Sequence, residues 1–158
     1  MGEKIESAQK IVKNYMWFSM GAGLIPVPFL DLATISGVQL KMICDLSNEY
    51  NISFSENRGK SILTALLGSI VPSSLVGSSV GSLLKMIPVI GTVMGGISLS
   101  IFAGAATYAI GKVFIQHFET GGTLLDFNPA EMNDYFKTKF QEGQGLAEEM
   151  NKKTDKKS

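Results

Sequence analysis

The sequence predicts an all-α protein made of two glycine-rich helical hairpins and a C-terminal amphipathic helix. Apolar residues recur at three- and four-residue steps, strand-like alternation is rare, and prolines and glycines separate the periodic segments. At 158 residues the chain has the size of one domain. We expect a helical core over residues 1–122, with hairpins over about 3–50 and 54–120, an amphipathic helix over 123–150 and a disordered basic tail over 151–158.

The first hairpin is predicted to turn at a proline-rich step. The first helix carries one apolar face and ends near Gly21 and Gly23. The following LIPVP segment requires an extended turn, because a proline disfavours helical geometry in the residue before it. Pro26 and Pro28 are therefore predicted turn residues, and the second helix is expected to run from Pro28 to about Tyr50.

The second hairpin follows a predicted capping box. Ser53 and Glu56 have its spacing, so a third helix is expected to begin near Phe54. Two stretches without a charged residue follow, 24 residues over 61–84 and 26 residues over 86–111. Pro88, in a second Ile-Pro-Val step, is predicted to turn the chain before a fourth helix that runs from about residue 89 to 118.

The last helix is predicted by its capping residues. Gly121 and Gly122 are expected to end the fourth helix. Asn128, Pro129 and Glu131 then have the residue types preferred at N-cap, N1 and N3. A new helix is therefore expected to begin at residue 129.

Small residues recur at four-residue steps in both uncharged stretches, a spacing that lets helix backbones approach closely. The glycines expected at such helix contacts are Gly77, Gly81, Gly91, Gly95, Gly96, Gly104 and Gly111. Both stretches are long enough to cross a hydrocarbon core of about 30 Å. A tightly packed helix pair inside a bundle is the alternative, because a helix that is apolar all round also suits a protein core.

Charge placement favours the membrane interpretation. Arg58 and Lys60 precede the first stretch and Lys112 follows the second, so the positive-inside rule predicts a cytoplasmic membrane location with cytoplasmic termini. The alternative location is the cytoplasm. Tyr15, Trp17 and Phe18 suit either an interfacial aromatic belt or core packing. Four tail lysines are expected to contact anionic lipid or a partner: Lys152, Lys153, Lys156 and Lys157.

Residues with catalytic or ligand-binding chemistry are sparse. The net charge is zero and no basic stripe is present, which argues against a nucleic-acid partner. His117 and Cys44 are the only residues of their types and have no ligand or base at a useful spacing. Gly59 and Lys60 resemble the end of a phosphate loop, but Phe54 replaces its first glycine. We therefore predict no enzymatic activity, no cofactor and no metal.

Two stretches resemble a known family. They read GAGLIPVPFLDLATISGVQLKMICDLSNEYNISFSENRGKSIL and KMIPVIGTVMGGISLSIFAGAATYAIGKVFIQHFETGG, and together they span Gly21 to Gly122. In order and spacing they are similar to the bacterial domain of unknown function numbered 697. The resemblance implies a membrane-associated helical module that works with an Era-like GTPase. The sequence carries no GTPase motifs, so that GTPase is expected to be a separate partner.

The leading hypothesis is therefore a non-enzymatic helical module at the membrane that serves as an accessory or docking partner of a GTPase. Membrane lipid, a GTPase or other protein, and a second copy of the chain are its expected partners. The alternative is a soluble helical scaffold that self-assembles or binds a protein partner. A self-inserting pore former is the third hypothesis.

Overall fold

A computed structural model of the protein describes residues 2–23, 32–70 and 99–157. They form five α-helices, and no strand occurs in these three ranges, which confirms the predicted all-α class. The helices are α1 (Gly2–Gly23), α2 (Leu32–Glu49), α3 (Glu56–Ile70), α4 (Leu99–Glu119) and α5 (Pro129–Lys157). None of these helices combines the length and the apolar character that crossing a membrane requires.

Helix α4 lies at the centre of the described bundle. It packs mainly against α1 and α5, and less extensively against α2 and α3. The α3–α4 pairing expected from the second hairpin is therefore a minor contact. Most α4 residues from Ser100 to Phe118 are buried, as a helix that is apolar all round requires. The end of the second uncharged stretch, residues 100–111, thus lies among other helices of the chain.

Helix α1 runs antiparallel to α4. Gly111 lies against Val12, and Gly104 lies against Met20, so rising residue numbers in α1 pair with falling numbers in α4. The C-terminus of α1 is therefore beside the N-terminus of α4.

The remaining contacts place the helix ends in two groups. The Tyr50 hydroxyl donates to Glu119 Oε1 at 2.6 Å, and Arg58 at the start of α3 contacts the chain beyond α4. We call this the basal end. The opposite, apical end therefore contains the C-termini of α1 and α3 and the N-termini of α2 and α4. It is marked by Gly23, Leu32, Ile70 and Leu99.

The connection between α4 and α5 has the predicted caps. Gly121 has a φ of +89°, a left-handed conformation suited to glycine. The N–H groups of Gly121 and Gly122 each donate to the last turn of α4 at 3.0 Å, to Phe118 and His117 respectively. The Asn128 side chain accepts from the Ala130 N–H at 3.1 Å, which confirms the predicted N-cap.

Asp126 holds this connection through its carboxylate. It accepts from the Thr123 N–H at 2.7 Å and lies 3.1 Å from His117 Nε2. The Thr123 N–H, and then His117, hold the pKa of the Asp126 carboxyl below its usual range. A group whose pKa is depressed by folding stabilises the fold above its unfolded pKa, and that contribution disappears as the pH falls through the folded pKa.

We therefore expect D126N to lower the melting temperature at pH 7. The difference in melting temperature between D126N and the original chain should shrink below about pH 4, which is near the unfolded pKa of an aspartate. It should vanish in stronger acid. Thermal melts followed by circular dichroism between pH 7 and pH 2 measure this difference. D134N, which removes an exposed carboxylate on α5, is the matched control. A D126N deficit that stays constant with pH would show that the carboxylate charge has no part in it.

The start of α3 differs from the prediction. The helix begins at Glu56, and Ser55 rather than Ser53 caps it: its hydroxyl accepts from the Arg58 N–H at 3.4 Å. Phe54 precedes the cap and packs on the core beside Gly59. The capping-box prediction was wrong because Ser55, rather than Ser53, supplies the capping hydroxyl.

The C-terminal segment also differs from the prediction. Helix α5 continues to Lys157, so the expectation of a disordered tail is wrong for residues 151–157. The sequence after residue 145 is rich in residues that favour helices, including leucine, alanine, glutamate, methionine and lysine. Ala147 is buried and Met150 packs on the core, which anchors this part of the helix.

Candidate functional site

An exposed apolar surface lies on the outer side of α1 and α2. Trp17 is 41% exposed and Phe18 is 65% exposed, although both are large aromatic residues. Phe18 also lines a shallow groove of about 640 Å³ between the two helices. The groove is lined by Asn14, Tyr15, Phe18, Gly37, Val38 and Lys41. We call Trp17, Phe18 and this groove the α1–α2 surface.

The periodicity of α1 explains why its aromatic residues face outward. Its buried residues Ala8, Val12, Met16 and Met20 recur at four-residue steps and form one face. Trp17 follows Met16 directly, and each residue along a helix is rotated by about 100° from the previous one. The aromatic pair is therefore displaced from the core-facing side. Of the two interpretations that the sequence left open, core packing is wrong for Phe18.

A polar pair holds the edge of the groove. The Tyr15 hydroxyl donates a hydrogen bond to the Asp45 carboxylate and so links α1 to α2. Burial, followed by this hydrogen bond to Asp45, holds the pKa of Tyr15 well above its usual range. Lys41 lies 3.8 Å from the same carboxylate. The polar groups at the groove thus bind one another, and its apolar lining remains open to solvent.

A chain of buried polar side chains joins three helices beneath this surface. Gln39 of α2 donates through Nε2 to Thr107 Oγ1 at 3.3 Å, and the Thr107 hydroxyl donates to Ser19 Oγ at 3.1 Å. Ser19 in turn donates to the Met16 carbonyl at 3.0 Å. The carbonyl oxygen of the Gln39 side chain is buried, and it has no hydrogen-bond partner among the described residues. These bonds fix how α1, α2 and α4 sit relative to one another.

Sequence reasoning did not find this polar chain. Gln39, Thr107 and Ser19 are distant in sequence, and each stands alone among apolar neighbours. One feature of the sequence could have indicated it: uncharged polar residues occur on helix faces that were expected to be buried. Such residues need partners, but the sequence does not say which helix supplies them.

Two of the glycines predicted to make helix contacts lie where α1 crosses α4. A β-carbon on Gly104 would lie 2.7 Å from Met20 Cγ, and one on Gly111 would collide with the Val12 side chain. The other predicted contact and turn residues lie outside the residues that the structure describes. They are Gly77, Gly81, Gly91, Gly95, Gly96, Pro26, Pro28 and Pro88.

The four lysines predicted to contact lipid or a partner also lie partly inside and partly outside the description of side chains. Lys152 and Lys153 are exposed on α5. The side chains of Lys156 and Lys157 are outside the description, although their backbone is helical. Within the described part of the chain, no group of three histidine, cysteine, aspartate or glutamate residues could hold a metal ion.

The family model of a domain of unknown function, DUF697, matches residues 1–144 of the sequence. The chain belongs to the DUF697 family. This assignment confirms the resemblance stated from the two sequence stretches. A curated relative of this DUF697 protein is magnetosome membrane protein 22 from Magnetospirillum gryphiswaldense. The two are 38% identical over 140 residues, which cover 89% of this chain and 72% of the relative. No solved structure matches the DUF697 protein.

Proposed function

We propose that this DUF697 protein is a non-enzymatic module that associates with a membrane through the α1–α2 surface. The exposure of Trp17 and Phe18 carries the proposal, because tryptophan and other aromatic side chains favour the boundary between lipid and water. A contiguous apolar surface on a folded protein also marks an interaction site more often than isolated apolar residues do. The name of the magnetosome membrane relative supports the same assignment.

The position of the surface within the bundle supports lipid as its partner. Trp17 and Phe18 lie in the last two turns of α1, close to the apical end. The sequence segments 24–31 and 71–98 join the described helices at this end, and Asp31 and Lys85 are their only charged residues. The weakly charged part of the sequence and the exposed aromatic residues are thus attached to one side of the bundle.

The cytoplasmic membrane is the proposed location, with both termini on the cytoplasmic side. Arg58 and Lys60, which precede the first uncharged stretch, support this orientation. Exposed Lys152 and Lys153 support it further, because a lysine near an anionic leaflet gains about 1 kcal/mol. A GTPase partner is also proposed, on the strength of the family resemblance alone. Nucleotide-dependent recruitment of such a GTPase to vesicles carrying the DUF697 protein would test that part.

The single tryptophan provides a direct test of membrane contact. Mixing the protein with vesicles of phosphatidylethanolamine and phosphatidylglycerol should shift Trp17 emission to shorter wavelength. Brominated acyl chains in the same vesicles should quench it. F18S should weaken partitioning about tenfold, because transferring a phenylalanine side chain out of water is worth about 1.5–3 kcal/mol.

The matched control is L125S. Leu125 is 82% exposed but lies at the basal end, so its replacement should leave partitioning unchanged. A second reporter, W17F/L125W, should bind the same vesicles with an unquenched tryptophan. Quenching at position 125 but not at position 17 would assign the contact to another surface. Failure to sediment with vesicles would refute membrane association itself.

A further inference from the structure

A second groove, separate from the α1–α2 surface, lies between α1, α4 and α5. Its volume is about 300 Å³. Four apolar side chains line it: Val12 and Met16 from α1, and Leu146 and Met150 from α5. Leu146 is 40% exposed, so this apolar lining reaches the protein surface. We call this the lysine groove, for the residues described next.

Three lysines surround the apolar lining. Lys13, Lys112 and Lys153 come from the three different helices that form the groove, and Glu149 is the one acidic residue that lines it. Lys112 is half-buried, with Nζ 5.5 Å from the centre of the Tyr108 ring. Within the described residues none of the three lysines has a carboxylate oxygen within 4.0 Å. The groove therefore combines an apolar lining with a net positive charge.

The environment of Lys112 disfavours its charged form. Burial, and then the neighbouring Lys139, hold the pKa of Lys112 below its usual range, while Glu142 acts in the opposite direction. Glu142 is itself 3.0 Å from the Lys139 ammonium group. An anion placed in the groove would supply the partner that Lys112 lacks, because a nearby opposite charge stabilises an ammonium group.

We propose that the lysine groove binds a monomeric single-chain anionic amphiphile of the long-chain fatty-acid type. The alkyl chain lies against the exposed parts of Leu146 and Met150, with the nearly buried Val12 and Met16 beneath it, and the carboxylate lies among the three lysines. About 300 Å³ is the lower end of the usual size range for a small-molecule site. That volume suits one alkyl chain better than the two chains of a phospholipid. The formal charge of the lining, three lysines against one glutamate, is complementary to an anionic head group.

Dodecanoate tests the proposal, because it combines one alkyl chain with one carboxylate and stays monomeric at the concentrations used in calorimetry. Isothermal titration calorimetry should show binding of dodecanoate. Dodecyl maltoside, which has the same chain and a neutral head group, and acetate, which has the head group without the chain, should each bind at least tenfold more weakly. Equal binding of dodecyl maltoside would overturn the role of the lysines, and equal binding of acetate would overturn the role of the alkyl chain.

Two groove variants locate the binding site. K112M keeps most of the side-chain volume and removes the charge, so it should weaken dodecanoate binding about tenfold. L146Q tests the apolar lining at a partly exposed position that tolerates substitution, and it should also weaken binding. K4M removes an exposed lysine of α1 outside the groove and should have no effect. Dodecanoate affinity that is unchanged in both K112M and L146Q would overturn the proposal.

The same variants separate this site from membrane contact. K112M and L146Q leave the α1–α2 surface intact, so vesicle-induced quenching of Trp17 should persist in both. F18S, in turn, should retain dodecanoate binding. If F18S and K112M each abolished both activities, a single shared surface would replace the two separate sites.

Discussion

Replacing Gly143 by alanine is expected to destabilise the protein relative to the same replacement at Gly145, by about 1–3 kcal/mol in the free energy of unfolding. The two glycines lie two residues apart in α5, so both variants gain the same helix propensity, about 0.8–1 kcal/mol. They differ in what the new methyl group meets. G145A should therefore be more stable than the original chain, and G143A should be less stable than G145A.

The packing of α5 on α4 explains the difference. A β-carbon on Gly143 would lie 2.9 Å from both the Cα and the carbonyl oxygen of Ala105, and 3.1 Å from Tyr108 Cδ1. Two of these three atoms belong to the backbone of α4, which cannot rotate away as a side chain does. The whole helix must shift instead, and α4–α5 is the largest helix contact in the described bundle. A β-carbon on Gly145 has no atom within 4 Å.

Urea denaturation of the three chains, followed by circular dichroism at 222 nm, measures both effects. The slope of the free energy of unfolding against urea concentration should be the same for all three chains, because the surface exposed on unfolding hardly changes. If G143A and G145A were equally stabilising, α5 would not pack against α4 at this position. A loss of stability in G145A would instead show that its side of α5 is covered.

Helix ends were predictable where local hydrogen bonding decides them. Gly121 and Asn128 end and start helices by satisfying backbone groups within a few residues, so the sequence alone identified them. The start of α3 was mispredicted although a local hydrogen bond also decides it, because the sequence offers two serines as caps and Ser55 rather than Ser53 accepts from the Arg58 N–H. The neighbours of α4 were not predictable either, since periodicity identifies a buried helix but not the helices that bury it.

The candidate sites were hard to predict for the same reason, because the sequence does not say which helices contact one another. Gly104 was selected because it lies in an uncharged stretch, whereas Gly143 lies in a charged helix and was overlooked, yet both occur at close helix crossings. Trp17 and Phe18 were ambiguous because large aromatic side chains suit a protein core as well as a membrane interface. The lysine groove combines residues from three helices, so neither its charge nor its apolar lining forms a sequence motif.

Arg58 is expected to contribute about 2–3 kcal/mol to stability, measured as the loss in R58A. Its guanidinium donates to three backbone carbonyls of the basal connection: Nε to Leu124 at 3.0 Å, and Nη2 to Leu125 at 3.3 Å and to Phe127 at 3.2 Å. These carbonyls precede α5, so the arginine replaces the partners that a helix would have provided. Without it, two partly buried carbonyl groups and one exposed carbonyl group lose a charge-assisted hydrogen bond.

The packing of the basal connection makes this loss costly. Leu124 and Phe127 are buried in the core, and the Phe127 ring stacks on Phe114 with centroids 4.9 Å apart. Arg58 therefore joins α3 to the segment that carries these two core residues. R58K should recover only part of the stability, because one ammonium group cannot reproduce the planar arrangement of donors that contacts three carbonyls.

K60A is the matched control, since Lys60 lies two residues further along α3. Its exposed pair with Glu56 should contribute less than about 1 kcal/mol. The free energy of unfolding, measured by urea denaturation, should thus fall most in R58A, less in R58K and least in K60A. Equal losses in R58A and K60A would contradict the role of the guanidinium in the basal connection. The sequence alone assigns Arg58 and Lys60 the same role, as bases that set membrane orientation. Vesicle-induced quenching of Trp17 should be unchanged in folded R58A, because Arg58 contacts the basal connection and not the α1–α2 surface.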